Sequence, residues 1–185
     1  MRFADDFVMT FETHRDAKRV LEVLGKRLGR FGLTLHPDKT RFIDFRPERR
    51  GGTHADCKDP PFDFLGFTHA WVKSRNGKNV VRQTTAKNRF ARTLLEVKDW
   101  CRANRHRPIL EQHARLSAKL VGHFAYYGIT GNIERLHQYR TQVTMTWRKW
   151  LDRRTRGKRL IWARFTAFLA RHPLPRARIV HRYGT

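Results

Sequence analysis

Asp5 and Asp6 are adjacent carboxylates set between short apolar runs at residues 1–4 and 7–11. A pair of hard oxygen donors on a hairpin suits two-ion phosphoryl transfer. Mg²⁺ prefers carboxylate oxygens, and two such ions about 4 Å apart clamp the attacking and leaving oxygens. The dipeptide alone does not decide for that chemistry, because Asp is also favoured in turns for its backbone hydrogen bonding. His54 and Cys57 have ligand-like spacing but no second pair, so a zinc site is not expected. Cys57 and Cys101 lie far apart without a Cys-x-x-Cys pair, which excludes a disulfide framework and fits a reducing, cytoplasmic setting.

Charge indicates what such a site would act on. The 40 Lys and Arg against 16 Asp and Glu leave +24 on 185 residues, a balance that seeks polyanions. Residues 1–85 carry 17 basic and 11 acidic side chains, whereas residues 86–185 carry 23 and 5, so the second half is the stronger nucleic-acid candidate. Aromatic residues, at 12%, are interleaved with that charge, which suits base stacking and Arg–aromatic contacts. No apolar run approaches the roughly 18 residues of a membrane span, and the first residues lack the apolar centre of a secretory signal. A membrane partner is therefore not expected.

The elements that must position these residues follow from periodicity. Residues 1–4 and 7–11 read as a hairpin with Asp5 and Asp6 in its turn. Thr13 is a plausible N-cap for a helix whose apolar positions, Ala17, Val20, Leu21, Leu24, Leu28 and Phe31, recur at steps of three and four, with Gly32 as the stop. Residues 33–35 and 40–45 alternate like half-buried strands around a turn at residues 36–39, and residues 46–61 read as a loop. Residues 62–67 and 70–72 then lead through Asn76-Gly77, a hairpin signal, into residues 80–84. From about Ala86 the period becomes helical. Phe90, Leu94, Val97 and Cys101 share one face; Leu116, Leu120, Phe124 and Tyr127 share another; residues 133–150 continue the pattern, and a shorter helix covers residues 160–170. The boundary expected from this change lies near residues 84–87, dividing residues 1–85 from residues 86–185.

Three segments in order, Phe3-Ala4-Asp5-Asp6, Gly32-Leu33-Thr34-Leu35 with Pro37-Asp38-Lys39-Thr40, and Phe64-Leu65-Gly66-Phe67, resemble successive motifs of the reverse-transcriptase palm. A further run, residues 119–132 with Tyr126, Tyr127, Gly128 and Asn132, resembles the maturase-specific domain of bacterial group II intron-encoded reverse transcriptases. The resemblance implies an α+β chain: a partial palm of antiparallel sheet plus helix at residues 1–85, followed by an all-helical thumb and maturase domain at residues 86–185. It implies that Asp5 and Asp6 are catalytic carboxylates binding Mg²⁺, with Phe3 at an aromatic position beside them. Lys39 would lie near the triphosphate of the incoming nucleotide, where an ammonium neutralises charge on the leaving pyrophosphate or donates a proton to it. Phe64, Leu65 and Gly66 would form the primer grip, Gly66 allowing close backbone approach or a tight bend.

In the helical half the resemblance implies contacts to group II intron RNA and to an RNA/DNA primer–template. Tyr126 and Tyr127 are candidates for stacking, or for the core. Gly128 or Gly131 would supply a positive-φ helix end beside Asn132. Arg148, Lys149, Arg153, Arg154, Arg156, Lys158 and Arg159 are candidate phosphate contacts; about six such contacts on a duplex give a slope of log K against log salt near −5. Relative to the family pattern, an earlier palm carboxylate, the fingers and a Cys/His-rich endonuclease tail are not found. The chain is therefore expected to be a portion of an RNA-directed DNA polymerase, split or degenerate. Its nucleotidyltransferase activity would depend on a chain carrying the missing fingers and palm. The alternative is an RNA-splicing cofactor, or mobile-element remnant, that binds RNA without catalysis.

Overall fold

A computed structural model describes residues 2–3, 5–46, 61–154 and 160–182. It is an α+β structure that divides into two compact units, Met1–Pro60 and Pro61–Thr185. Arg156, Lys158, Arg159, His54 and Cys57 lie outside the described residues.

In the first unit, β1 (Arg2–Phe3) pairs antiparallel with β2 (Asp6–Phe7), Arg2 opposite Phe7 and Phe3 opposite Asp6. The hairpin expected at the aspartates is present, but shorter. Asp5 is in the turn, Asp6 is on a strand, and residues 8–11 do not extend the pairing. A ribbon with no third strand among the described residues has little to hold a longer ladder. Helix α1 (His14–Gly29) starts where expected, the Thr13 hydroxyl accepting from Asp16 N at 3.1 Å. It closes through Gly32, at φ +69°, with Leu33 N bonded to Leu28 O and Gly32 N to Gly29 O, the paired bonds of a Schellman end. Residues 36–40 turn as expected, Thr40 N donating to His36 O. Residues 33–35 and 40–45, expected as strands, form none. Alternation supplies a face, but a strand exists only through a partner's hydrogen bonds, and no described strand lies alongside.

The second unit joins a sheet to four helices. β3 (Phe62–Phe64), β4 (Phe67–Lys73) and β5 (Asn79–Thr85) form an antiparallel meander in the order β3-β4-β5. Asn76-Gly77 turns the chain between β4 and β5, with Gly77 at φ +70° and its N–H on Ser74 O. Helices α2 (Lys87–Ala103), α3 (Ile109–Tyr127), α4 (Ile133–Asp152) and α5 (Trp162–Arg171) follow. Their stripes meet as the spacing predicts: Val97 and Cys101 of α2, Leu116, Leu120 and Phe124 of α3, Leu136, Val143 and Trp147 of α4, and Phe165 of α5 form one core. The sheet belongs to the same unit as the helices. Ala86 is buried and donates its N–H to Gly66 O at 2.9 Å, so the sheet runs into α2 with no linker.

Residues 173–182 cross the bundle as a strap. Gly128 O accepts from Val180 N and His181 N, and Ile129 pairs with His181 in a parallel bridge. Gly128 itself has φ −77°, so its lack of a side chain serves packing, while the positive φ falls on Gly131 at +88°. A Cβ on Gly128 would collide with Phe124 O and stand 2.9 Å from Arg178 O and 3.1 Å from Val180 N, all backbone atoms. Gly128→Ala should therefore destabilise the second unit by about 2–3 kcal/mol. The check is urea denaturation together with exchange of the Val180 amide; unchanged protection there would contradict the packing role.

Candidate nucleic-acid interface

The β3–β4 turn holds the one non-glycine residue with positive φ among the described residues. Phe64 pairs with Phe67, leaving Leu65 (φ +49°) and Gly66 (φ +80°) as a two-residue turn with both φ positive, the geometry that matches strand twist. A leucine in the left-handed region costs about 1–2 kcal/mol, and surrounding bonds hold it there. Tyr126 Oη donates to Leu65 O at 2.9 Å, and Gly66 O accepts from Ala86 N. Where a Cβ on Gly66 would lie, Tyr127 Oη is 3.1 Å away and Arg89 Cγ is 3.7 Å away. The close approach that Gly66 permits is thus made by a phenol of the same chain.

Asn132 fixes the helix end behind this turn. Its Oδ1 accepts from Thr85 N (3.0 Å), and its Nδ2 donates to Thr85 Oγ1 and Tyr127 O (2.9 Å each). The side chain is 0% exposed. It is therefore closed to direct contact with nucleic acid and acts through the turn it positions. Tyr126 is 54% exposed while Tyr127 packs against the core, so the first is the surface ring and the second joins the interior. Thr85, the partner that Asn132 needs, carries no sequence signal beyond ending a strand.

An aromatic series runs inward from the turn. Phe67 lies 5.8 Å from Tyr126 and 5.3 Å from Tyr127, Tyr127 lies 4.6 Å from His123, and His123 stacks on Tyr139 at 3.7 Å. Burial raises the Tyr127 phenol and pushes that of Tyr139 up to about 12, so both remain hydroxyls. His123 is 7% exposed, its Nε2 has no hydrogen-bond partner among the described residues, and burial lowers its pKa to about 4. An unfolded imidazole takes up its proton near pH 6.5. Between those values the unfolded chain binds more protons, so stability falls as pH drops from about 6.5 towards 4, by up to roughly 3 kcal/mol. Burial lowers His69 in the same direction. His123→Phe keeps a ring on Tyr139 and should flatten most of that acid limb in a thermal-midpoint-against-pH series; an unaltered limb would contradict the assignment.

The candidate phosphate contacts gather at the C-terminal end of α4, and the structure separates them by duty. Arg148 is committed internally: its Nη2 donates to Leu160 O at 2.9 Å and its guanidinium lies 4.1 Å from the Trp162 ring centroid. The expectation that it contacts phosphate gives way to a role in seating α5. Arg153 lies over Trp150 at 4.6 Å with its outer face exposed, and Arg105 approaches the same ring at 5.9 Å. Arg154 Nη1 donates to Arg107 O, and Lys149 is exposed. Gln112, buried, ties this end together by donating to Arg105 O and Arg107 O and accepting from Trp147 Nε1. Arg105, Trp150 and Trp162 escaped the sequence reading as site residues, Trp150 falling in the apolar pattern of residues 133–150. The alternation of Arg and Trp at residues 147–154 was the available signal.

Asp5, Asp6 and Lys39 belong to the first unit and are exposed. No ion pair among the described residues joins Lys39 to either carboxylate. Two aspartate oxygens suit Mg²⁺ by donor chemistry, yet the described residues contain no group of three or more His, Cys, Asp or Glu able to hold a metal. The pair is thus a partial donor set, and no reaction step is derived through it. The segment bearing these residues can nevertheless be compared with known proteins. Residues 1–69 match the family model of reverse transcriptase (RNA-dependent DNA polymerase). The reverse-transcriptase match covers the aspartate hairpin, α1, the Lys39 turn and the β3–β4 turn, crossing from the first unit into the second. No curated protein and no solved structure matches the chain. A reverse-transcriptase-like segment implies nucleic acid as the partner class. No helix among the described residues is long and apolar enough to cross a membrane.

Proposed function

We propose that this chain is the palm-derived and thumb/maturase portion of a group II intron reverse transcriptase, and that it binds intron RNA and an RNA/DNA primer–template through its second unit. The observation that carries this reading is a juxtaposition. The turn at Phe64, Leu65 and Gly66, near the end of the reverse-transcriptase match, is bonded by Tyr126 and Ala86, and packed by Tyr127, into the same unit as the basic helices. Such an arrangement supports a primer-grip role: the turn is rigid before any partner arrives, so little ordering is lost on binding. Arg153, Arg154 and Lys149 then supply the cationic surface for backbone phosphates, and the Arg153 plane a platform for an unpaired base.

Magnesium-dependent nucleotidyl transfer requires oxygen donors beyond Asp5 and Asp6. The alternative, an RNA-binding splicing cofactor without polymerase chemistry, is favoured by that two-carboxylate set. Both readings predict that the chain alone retains a structured RNA at low salt and does not extend oligo(dT) on poly(rA) with Mg²⁺. Failure to retain RNA would contradict both. Extension that Asp5→Ala abolishes would show that the pair suffices and would remove the splicing-cofactor reading.

A further inference from the structure

Residues 173–182 form a surface that neither the reverse-transcriptase match nor the cluster at the end of α4 includes. The strap is fixed at both ends. At its start, His113 Nε2 donates to Pro173 O (3.0 Å), while Arg140 donates to Pro175 O (2.9 Å) and Leu174 O (3.3 Å). Carbonyl oxygens only accept, so the Nε2 proton of His113 is set by this bond. At its end, Val180 N and His181 N reach Gly128 O at 2.7 and 2.9 Å, Thr130 N reaches His181 O at 3.2 Å, and His181 Nε2 donates to Ala125 O at 2.9 Å.

Between these anchors Leu174 is buried and Ala177 and Ile179 pack against the core, whereas Arg176 and Arg178 are exposed. That alternation is the two-residue period of extended chain, and it turns the arginines outward, with exposed Arg182 following. Among the described residues, no ion pair or side-chain hydrogen bond engages Arg176, Arg178 or Arg182. The sequence from residue 153 to 185 contains no Asp or Glu. A fixed, acid-free row of guanidiniums is therefore displayed on the bundle.

We infer that this strap is a second nucleic-acid contact, a guanidinium row that follows the phosphates of one RNA strand. Two residues of extended chain advance about 6.7 Å, comparable with the separation of successive phosphates along a strand. Arg176 and Arg178 can thus address neighbouring phosphates, each with the forked donors that match phosphate oxygens, and Arg182 a later one. Because the backbone is already anchored, binding orders only the side chains. The inference rests on the reading that the second unit binds nucleic acid, but it uses none of the residues assigned to that role above.

The test is anisotropy of a fluorescein-labelled RNA stem-loop with the full chain across a KCl series. Three proteins are compared: wild type, the triple variant Arg176→Gln, Arg178→Gln, Arg182→Gln, and the double variant Arg153→Gln, Arg154→Gln. The triple variant should flatten the slope of log K against log salt by about 2–3, roughly 0.7–0.9 for each lost contact. The corresponding triple lysine variant should keep the wild-type slope. An unchanged slope in the glutamine triple, with the double variant flattened, overturns the strap contact and leaves the wider reading standing. Absence of wild-type binding overturns both. Equal strap-dependent binding to polyglutamate would assign the row to acidic polypeptides and overturn the inference. Independently of folding in the variants, RNA should shield the bonds after Arg176 and Arg178 from trypsin in the wild-type chain; equal cleavage with and without RNA counts against the contact.

Discussion

Replacing Asn132 with leucine should cost the second unit about 3–5 kcal/mol and release the β3–β4 turn. Leucine has nearly the shape of asparagine, so packing is preserved while three hydrogen bonds are lost from a side chain with no solvent access. Thr85 N–H is left without a partner inside the fold, where an unsatisfied buried donor costs about 1–3 kcal/mol, while Tyr127 O keeps only the bond from Ile129 N. Thr85 also loses the partner of its hydroxyl. The loss should be legible in two observables. Urea denaturation should give a lower midpoint with an unchanged slope, and amide exchange should show Thr85 and Ala86 opening well below the global unfolding free energy. Because Ala86 N holds Gly66 O, the turn loosens with them, and RNA affinity should weaken although Asn132 touches no ligand. A cost under about 1 kcal/mol, with Thr85 still protected, would mean the turn is held by the tyrosines alone.

Much of this architecture was legible where a local rule suffices. The stripes of Val97 and Cys101, of Leu116, Leu120 and Phe124, and of Val143 and Trp147 are decided by helical spacing alone, as the core confirms. Thr13 and Gly32 act at the ends of α1 through bonds to their own neighbours, and Asn76-Gly77 through its own turn. Features that depend on a distant partner were not legible. Residues 33–35 and 40–45 have the alternation of strands, but no described ladder receives them. Ala86 and Asn132 bind the sheet to helices that periodicity treats as separate. Gly128 was read for its conformation, whereas the structure uses its small size against the strap. Arg148 was read as one charge among several, yet its neighbour Trp162, distant in sequence, takes it out of the surface set. Of the candidate site, position on an element was readable from types and spacing; which side chains stay free for a partner was decided only by packing.

RNA affinity should fall steeply with salt, and the structure specifies which arginines carry that dependence. A cation releases counterions only if it reaches a phosphate. Arg153, with an exposed outer face, meets that condition, and Arg154, half-buried at the same helix end, gives Nη1 to Arg107 O and offers its remaining donors. Arg148, held by Leu160 O and Trp162, does not. Neutralising Arg153 and Arg154 should therefore lower affinity at all salt concentrations and remove about 2 from the slope. Neutralising Arg148 should leave the slope as it was while lowering thermal stability, since the stack on Trp162 and the bond to Leu160 are lost together.

The central claim, that the basic helical unit attached to a reverse-transcriptase-like segment holds RNA through its phosphates, is tested most directly by one salt titration. Binding of the full chain to a structured RNA is measured by anisotropy over a KCl series, alongside Arg148→Gln and the Arg153→Gln, Arg154→Gln pair. The account predicts a wild-type slope near −5, reduced by about 2 in the pair and unchanged by Arg148→Gln. A wild-type slope near zero, or a slope that the Arg153 and Arg154 substitutions leave untouched, would contradict it.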